Sequence, residues 1–271
     1  MENDSAAGNF ILVGFSEHPQ AEFILSLFVF GFYGVTLTGN TAIFLVSLLD
    51  SRLHTPMHFF LRNLSFLDVC FTTCIVPQML ANVWGDRRIS AAGCVVQYSV
   101  ALALGSTECV LLAVMAVDCY AAVMHQQVCR LLTAMSWLSG FANSLLQSSL
   151  AVVLPLCGRR LVDHFLCEVL VIIKLSCVDT RPTESKMLVA RLLILAIPVC
   201  TILASYACVA RAVLSMRSAE GRQKAWGTCA SHLTVVSLFY GTITFMYLQP
   251  KGNHSQGQGK VLALVHTVTP P

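Results

Sequence analysis

The sequence predicts an all-α fold, a polytopic membrane helix bundle, and three observations carry that prediction. Charged residues make up 11% of the 271 residues and hydrophobic ones 56%, where a soluble domain carries roughly 25% charged residues. Mean hydropathy is +0.71, and it is concentrated in six apolar runs, each long enough to cross a hydrocarbon core of about 30 Å as a helix. Carboxylates and amides sit inside those runs. Leaving one in lipid costs several kcal/mol, so the runs must face one another.

The run at 94–124 organises the others. Its STECVLLAVMAVDCYAAVM stretch (106–124) is apolar yet holds Glu108 and Asp118, which places it inside a bundle rather than alone in lipid. Residues 1–22 read as a polar, acidic N-terminal tail with Glu2, Asp4, Glu17 and Glu22. It lacks the basic start of a cleavable signal peptide, so the first apolar helix is expected to serve as its own insertion signal. Residues 23–271 read as one transmembrane domain, with spans at 23–49, 57–83, 94–124, 131–154, 187–214 and 228–248 and a partial one at 261–271.

In the first span Gly39 permits close helix contact, and Asn40 needs an internal hydrogen-bond partner. Pro56 suits the first turn of the second helix, which holds Asn63, Ser65 and Asp68. The connection at 125–130 is short for two antiparallel helices. The loop at 156–185 carries Cys157, Cys167 and Cys177, and its apolar piece 169–173 is expected to fold back over the bundle. Pro198 interrupts the fifth span, and Arg217, Arg222 and Lys224 follow it. The last stretch, 261–271, would reach only about 16 Å as helix, too short to cross.

Of the twelve cysteines, Cys70, Cys74, Cys109, Cys200, Cys208 and Cys229 lie in or beside apolar runs and read as packing residues. Cys94, Cys157, Cys167 and Cys177 lie together on one side and can form two disulfides, which makes that side oxidising. Basic residues load both sides, so the positive-inside rule does not settle orientation. The cysteines and the sequons at Asn3 and Asn253 favour a multi-pass protein of the cell membrane with its N-terminus outside. A net charge of +3, widely scattered, does not point to nucleic acid. His125, His164 and His232 lack a closed four-ligand pattern, so no metal site is expected. No phosphate-binding loop and no nucleophile–base pair is visible, so neither an enzyme nor a cofactor is expected.

Several runs resemble the olfactory (odorant) receptors, a branch of the rhodopsin-like G-protein-coupled receptors. They are Gly39-Asn40, LHTPMHFFLRNLSFLD (53–68), MAVDCY (115–120), LPLCGRRLVDHFLCE (154–168), LSCVDT (175–180), SYACV (205–209) and, most specifically, GRQKAWGTCASHLTVVSLFYGT (221–242). The resemblance covers nearly the whole chain. It implies a seven-transmembrane fold, here with an incomplete seventh helix, that binds a small volatile odorant and signals through a heterotrimeric G protein. It also implies the disulfides Cys94–Cys167 and Cys157–Cys177 and glycosylation at Asn3. Three departures stand against it. The family carries Asp-Arg-Tyr where this chain has Asp118-Cys119-Tyr120; the second inner loop before Cys129 is shorter; and the seventh-span motif is missing. They imply a truncated member, and a receptor remnant without signalling output is the alternative reading. A transporter would show matching halves, and none is visible.

For the ligand, Ala101, Leu102, Gly105 and Ser106 share one side of the third span, with Ile194 on the fifth and Tyr240, Ile243, Thr244 and Tyr247 on the sixth. Such a cavity is small and mostly apolar with a few hydroxyls, although the same residues also suit plain helix packing. Asn40, Asp68 and Glu108 form a candidate polar network. The two acids either share a proton or hold a cation, or each is hydrogen-bonded to serine or threonine. Asp118, Cys119, Tyr120, Arg222 and Lys224 mark the expected switch and G-protein side. There Asp118 reads as a switch or a plain hydrogen-bonding group, and Cys119 as the loss of a working residue. Membrane lipid is the remaining expected partner.

Overall fold

In lipid every backbone N–H and C=O must be satisfied by the protein itself, and a long continuous apolar run does so alone only as a helix, which is why these runs become unbroken helices. The computed structural model describes residues 9–13, 19–53, 55–85, 87–121, 126–155, 157, 161–162, 166–167, 169–215 and 218–248. In chain order these form β1 (Asn9–Leu12), α1 (Pro19–Leu49), α2 (Pro56–Trp84), β2 (Arg88–Ser90), α3 (Ala91–Ala121), α4 (Gln126–Val152), β3 (Leu161–Val162), α5 (Val169–Ile173), α6 (Arg181–Leu214) and α7 (Ala219–Leu248). The fourth, fifth and sixth spans of the sequence reading are thus α4, α6 and α7. The shortest of them, α4, has 27 residues, or about 40 Å of helix.

By length and composition four helices can cross a membrane: Glu22–Leu49, Pro56–Trp84, Ala91–Tyr120 and Arg181–Leu214. This makes the chain a multi-pass membrane protein. The other two long helices are more polar. α4 carries Ser136, Ser139, Asn143, Ser144 and Gln147 on its length, and α7 opens on Glu220, Arg222 and Lys224. α3 stands at the centre and touches α2, α4, α6 and α7. Its Leu111 and Leu112 are fully buried and pack with Phe60 and Leu67 of α2, Ile202 of α6 and Phe239 of α7. Large apolar side chains on the outside of the bundle, such as Phe28 and Phe32 on α1, Leu145 on α4 and Leu203 on α6, are exposed, as a hydrocarbon solvent allows.

α3 and α4 approach most tightly at Gly140. A Cβ there would lie 2.0 Å from Thr107 Oγ1 and 2.6 Å from the Ala103 carbonyl oxygen, so only glycine fits. Gly39 behaves otherwise. Among the described residues a Cβ at Gly39 would meet nothing within 4 Å, and the expected close contact is not there. Asn40 is half-buried and its side chain makes no hydrogen bond to a described residue.

Helix ends extend past the sequence-based spans. α4 begins at Gln126 rather than 131, α6 at Arg181 rather than 187, and α7 at Ala219 rather than 228. Hydropathy marks the part of a helix inside the hydrocarbon, while the helix itself projects beyond it. α2 starts where expected: Thr55 accepts from the His58 N–H at its N-cap, with Pro56 in the first turn. α6 runs unbroken through Pro198, so that proline does not divide it.

The tail holds an element the sequence reading missed. β1 pairs antiparallel with β2 (Phe10 opposite Ile89) and parallel with β3 (Leu12 opposite Val162), giving a sheet of order β2-β1-β3. Phe10 and Leu12 are buried while Ile11 between them is exposed, the alternation of a half-buried strand. Four residues are too few to announce a strand, and both partners are distant in sequence. Arg87 secures the tail, donating 2.7 Å to the Val13 carbonyl and 2.7 Å to the Glu22 carboxylate. α5 folds over the same end, with Val169, Ile172 and Ile173 packed against Cys94, Tyr98 and Met187.

Candidate ligand-binding site

Beneath this cap, a cavity of about 150 Å³ opens among α3, α4, α6 and α7. Its origin is local. Ala101, Gly105 and Ser106 are small residues on one stripe of α3, and their missing volume separates that helix from α6 and α7. Leu102, Ile194 and Ile243 complete the apolar lining that the sequence placed there. Cys109, Asn143, Gln147, Arg191, Leu195 and Phe239 also line it and were not anticipated.

Two of the residues expected on α7 do not line this cavity. Tyr240 faces α3 and donates its hydroxyl to the Cys109 carbonyl at 2.8 Å; it is buried in the core and does not line the cavity. Thr244 is exposed and does not line it either. The helix is turned so that Phe239 and Ile243, four residues apart, face the cavity. The side chain of Tyr247 lies outside the described residues.

The polar side of the cavity is a ladder across three helices. Arg191 Nε donates to Gln147 Oε1 at 3.1 Å, Gln147 Nε2 to Asn143 Oδ1 at 3.1 Å, and Asn143 Nδ2 to Ser106 Oγ at 2.8 Å. Its direction is forced. A guanidinium only donates, so Gln147 must turn its oxygen to Arg191 and its NH2 to Asn143, which must then offer its own NH2 to Ser106. Gln147 is fully buried and Arg191 is 9% exposed. Ser106 was expected from its place on α3. The other three were missed because an α4 residue facing inward and an arginine in an apolar run look like isolated exceptions in one dimension.

Above the cavity Cys94 at the start of α3 is bonded to Cys167, and Cys157 to Cys177, each with Cα atoms 5.4 Å apart. Below it Asp68 and Glu108 are 1% and 3% exposed and within electrostatic reach of each other. Neither oxygen of Asp68, nor Glu108 Oε1, has a hydrogen-bond partner among the described residues. The nearby Thr72 hydroxyl donates to the Asp68 backbone carbonyl, not to its carboxylate. Asn40 does not join them among the described residues.

At the end of the bundle away from the disulfides a second cavity of about 370 Å³ lies between α2, α3 and α7, bordered by Phe60, Met115, Asp118, Cys119 and His232. Tyr206 of α6 and His232 of α7 are hydrogen-bonded through Oη and Nδ1. Tyr120 is 53% exposed and Arg222 is exposed. The Lys224 side chain, Asn3, Asn253, His125, His164 and the stretch 249–271 lie outside the described residues. Among those described, no three His, Cys, Asp or Glu side chains gather as metal ligands.

A family model described as olfactory receptor matches residues 29–271. Human olfactory receptor 2Y1 is 54% identical over 99% of this chain and 89% of its own length. Human olfactory receptors 2G6 and 2C3 are 52% and 51% identical, again over 99% of this chain and over 88% and 87% of theirs. With a bundle of long membrane helices around α3, two disulfides at one end and these matches along almost its whole length, the chain belongs to the olfactory receptors, odorant-sensing G-protein-coupled receptors of the rhodopsin-like class and not enzymes.

Proposed function

We propose that the chain binds a small, mostly apolar volatile in the cavity among α3, α4, α6 and α7 and answers by moving the inner end of α7 to admit a heterotrimeric G protein. One observation carries this reading: α7 borders both cavities. Phe239 and Ile243 line the outer one, His232 and Val235 the inner one, and the Tyr240–Cys109 hydrogen bond lies between them. A ligand pressing on Phe239 would tilt α7 about that bond and strain the Tyr206–His232 link below. The step is a shift between two packings, with no covalent chemistry. Arg222 and Lys224, near the start of α7, would face the G protein, and the disulfide-bonded end with the N-terminus would face outside. Asp68 and Glu108, buried and without hydrogen-bond partners among the described residues, would share a proton or hold a cation.

Cys119 favours a second reading, binding without output. It occupies the position of the family's arginine and has neither its charge nor its reach. A cAMP assay in cells, with an odorant panel and surface-labelled receptor, separates the two. Ligand-dependent cAMP from the unaltered chain supports the first. Odorant binding without cAMP, with output restored in Cys119→Arg, supports the second. Epitopes at the two termini, scored for access in intact cells, test the orientation.

A further inference from the structure

We propose that the outer cavity selects an anion: a short-chain carboxylate whose oxygens bind the Arg191 guanidinium. This rests on reading that cavity as the ligand site. Arg191 is 9% exposed, borders the cavity and spends only Nε on protein, on Gln147. Its two terminal NH2 groups have no hydrogen-bond acceptor among the described residues. No carboxylate neutralises it there either: the one salt bridge among the described residues is Arg87–Glu22, and neither Asp68 nor Glu108 lines the cavity. A buried charge without a counter-ion is strongly unfavourable, and an arriving anion removes that penalty. A guanidinium also matches a carboxylate with two parallel hydrogen bonds.

The ladder sharpens the selection. Because it runs in one direction from Arg191 to Ser106, the Gln147 and Asn143 oxygens each already accept a hydrogen bond from within it. Ser106 Oγ accepts from Asn143, which leaves its own O–H free to donate. The cavity therefore offers positive charge and free donors, the two Arg191 NH2 groups and the Ser106 hydroxyl, which favour a partner that brings lone pairs. The rest of the lining, Ala101, Leu102, Ile194, Leu195, Phe239 and Ile243, suits a hydrocarbon tail. A volume of about 150 Å³ is that of a cavity that holds benzene, which sets the ligand at about six or seven heavy atoms.

The test uses the full chain in lipid nanodiscs at neutral pH, with affinity read from the dependence of melting temperature on ligand concentration. The probes are pentanoate, 1-pentanol and methyl pentanoate, which share the tail and differ in charge. Pentanoate is expected to bind about ten- to hundredfold more tightly than the alcohol or ester. Arg191→Gln is expected to erase that preference and Arg191→Lys to keep part of it. The probe comparison on the unaltered chain stands even if neither variant folds. Equal or tighter binding of the alcohol or ester overturns the carboxylate assignment and leaves the cavity reading intact. Pentanoate binding that survives Gly105→Leu, which fills the cavity, places the anion elsewhere and overturns the proposal. If neither these probes nor a panel of uncharged odorants stabilises the chain, the cavity reading falls and this assignment with it.

Discussion

The two ends of α3 are held in different ways. The end that carries Cys94 is cross-linked by Cys94–Cys167 and covered by a three-stranded sheet, and from there to its middle α3 is tied to α4 and α6 by the Ser106–Asn143–Gln147–Arg191 ladder. Its other end, the inner one on the proposed orientation, borders a larger cavity, about 370 Å³ against about 150 Å³, and a Tyr206–His232 hydrogen bond joins α6 and α7 nearby. A site that reads ligand chemistry must hold its groups still, whereas a helix end that moves must have few bonds to break. On the proposed function the same helix would serve both needs by having its restraints distributed unequally.

That contrast can be broken at its strongest point first. Cys94→Ser opens a cross-link spanning 73 residues, which is expected to cost about 4 kcal/mol of stability by loop entropy, read as a lowered melting temperature. Next is the waist. Gly140→Ala drives a methyl to 2.0 Å from Thr107 Oγ1 and is expected to cost about 3 kcal/mol. Gly39→Ala, facing open space among the described residues, should leave the melting temperature nearly unchanged. Equal effects at the two glycines would show that α3 and α4 are not in this contact.

Gln147→Leu removes the acceptor of Arg191 Nε and should cost about 2 kcal/mol by leaving a buried donor unpaired. Tyr206→Phe, at the inner end, removes one hydrogen bond and should cost about 1 kcal/mol. If the Tyr206 variant proved the more destabilised of the two, the inner end would be the better-anchored one. The smallest change is expected at Glu22→Gln. Its ion pair with Arg87 joins a partner that is 30% exposed, so the loss should stay within about 1 kcal/mol. Amide exchange at β1 is the sensitive readout for that variant.

Much of the fold was legible in one dimension. Apolar runs located the helices, and Glu108 and Asp118 placed 94–124 at the centre of a bundle. Small residues at 101, 105 and 106 pointed to a cavity on α3. The rest was not legible, for identifiable reasons. β1 is four residues long, and Phe10 meets Ile89 only once the chain has crossed the membrane and returned. Tyr240 and Phe239 are neighbours in sequence, and which of them faces the cavity is set by how α7 is rotated against α3. Arg191 in an apolar run showed its charge but not what it faced. Gly140 carried no signal distinguishing it from Gly39, because the difference lies in the neighbouring helix.

By itself the sequence determined that this protein lives in a bilayer as packed helices, since length and hydropathy are local quantities and a long apolar run satisfies its own backbone in lipid only as a helix. Its matching runs also determined its family. Only the tertiary structure decided which polar groups meet: that Arg191 of α6, Gln147 and Asn143 of α4 and Ser106 of α3 form one directed chain, while Asp68 and Glu108 stand without hydrogen-bond partners among the described residues. A helical period marks a face, but the rotation and neighbour of each helix are fixed by packing between segments far apart in the chain, and it is there that the chemistry of the cavity is set.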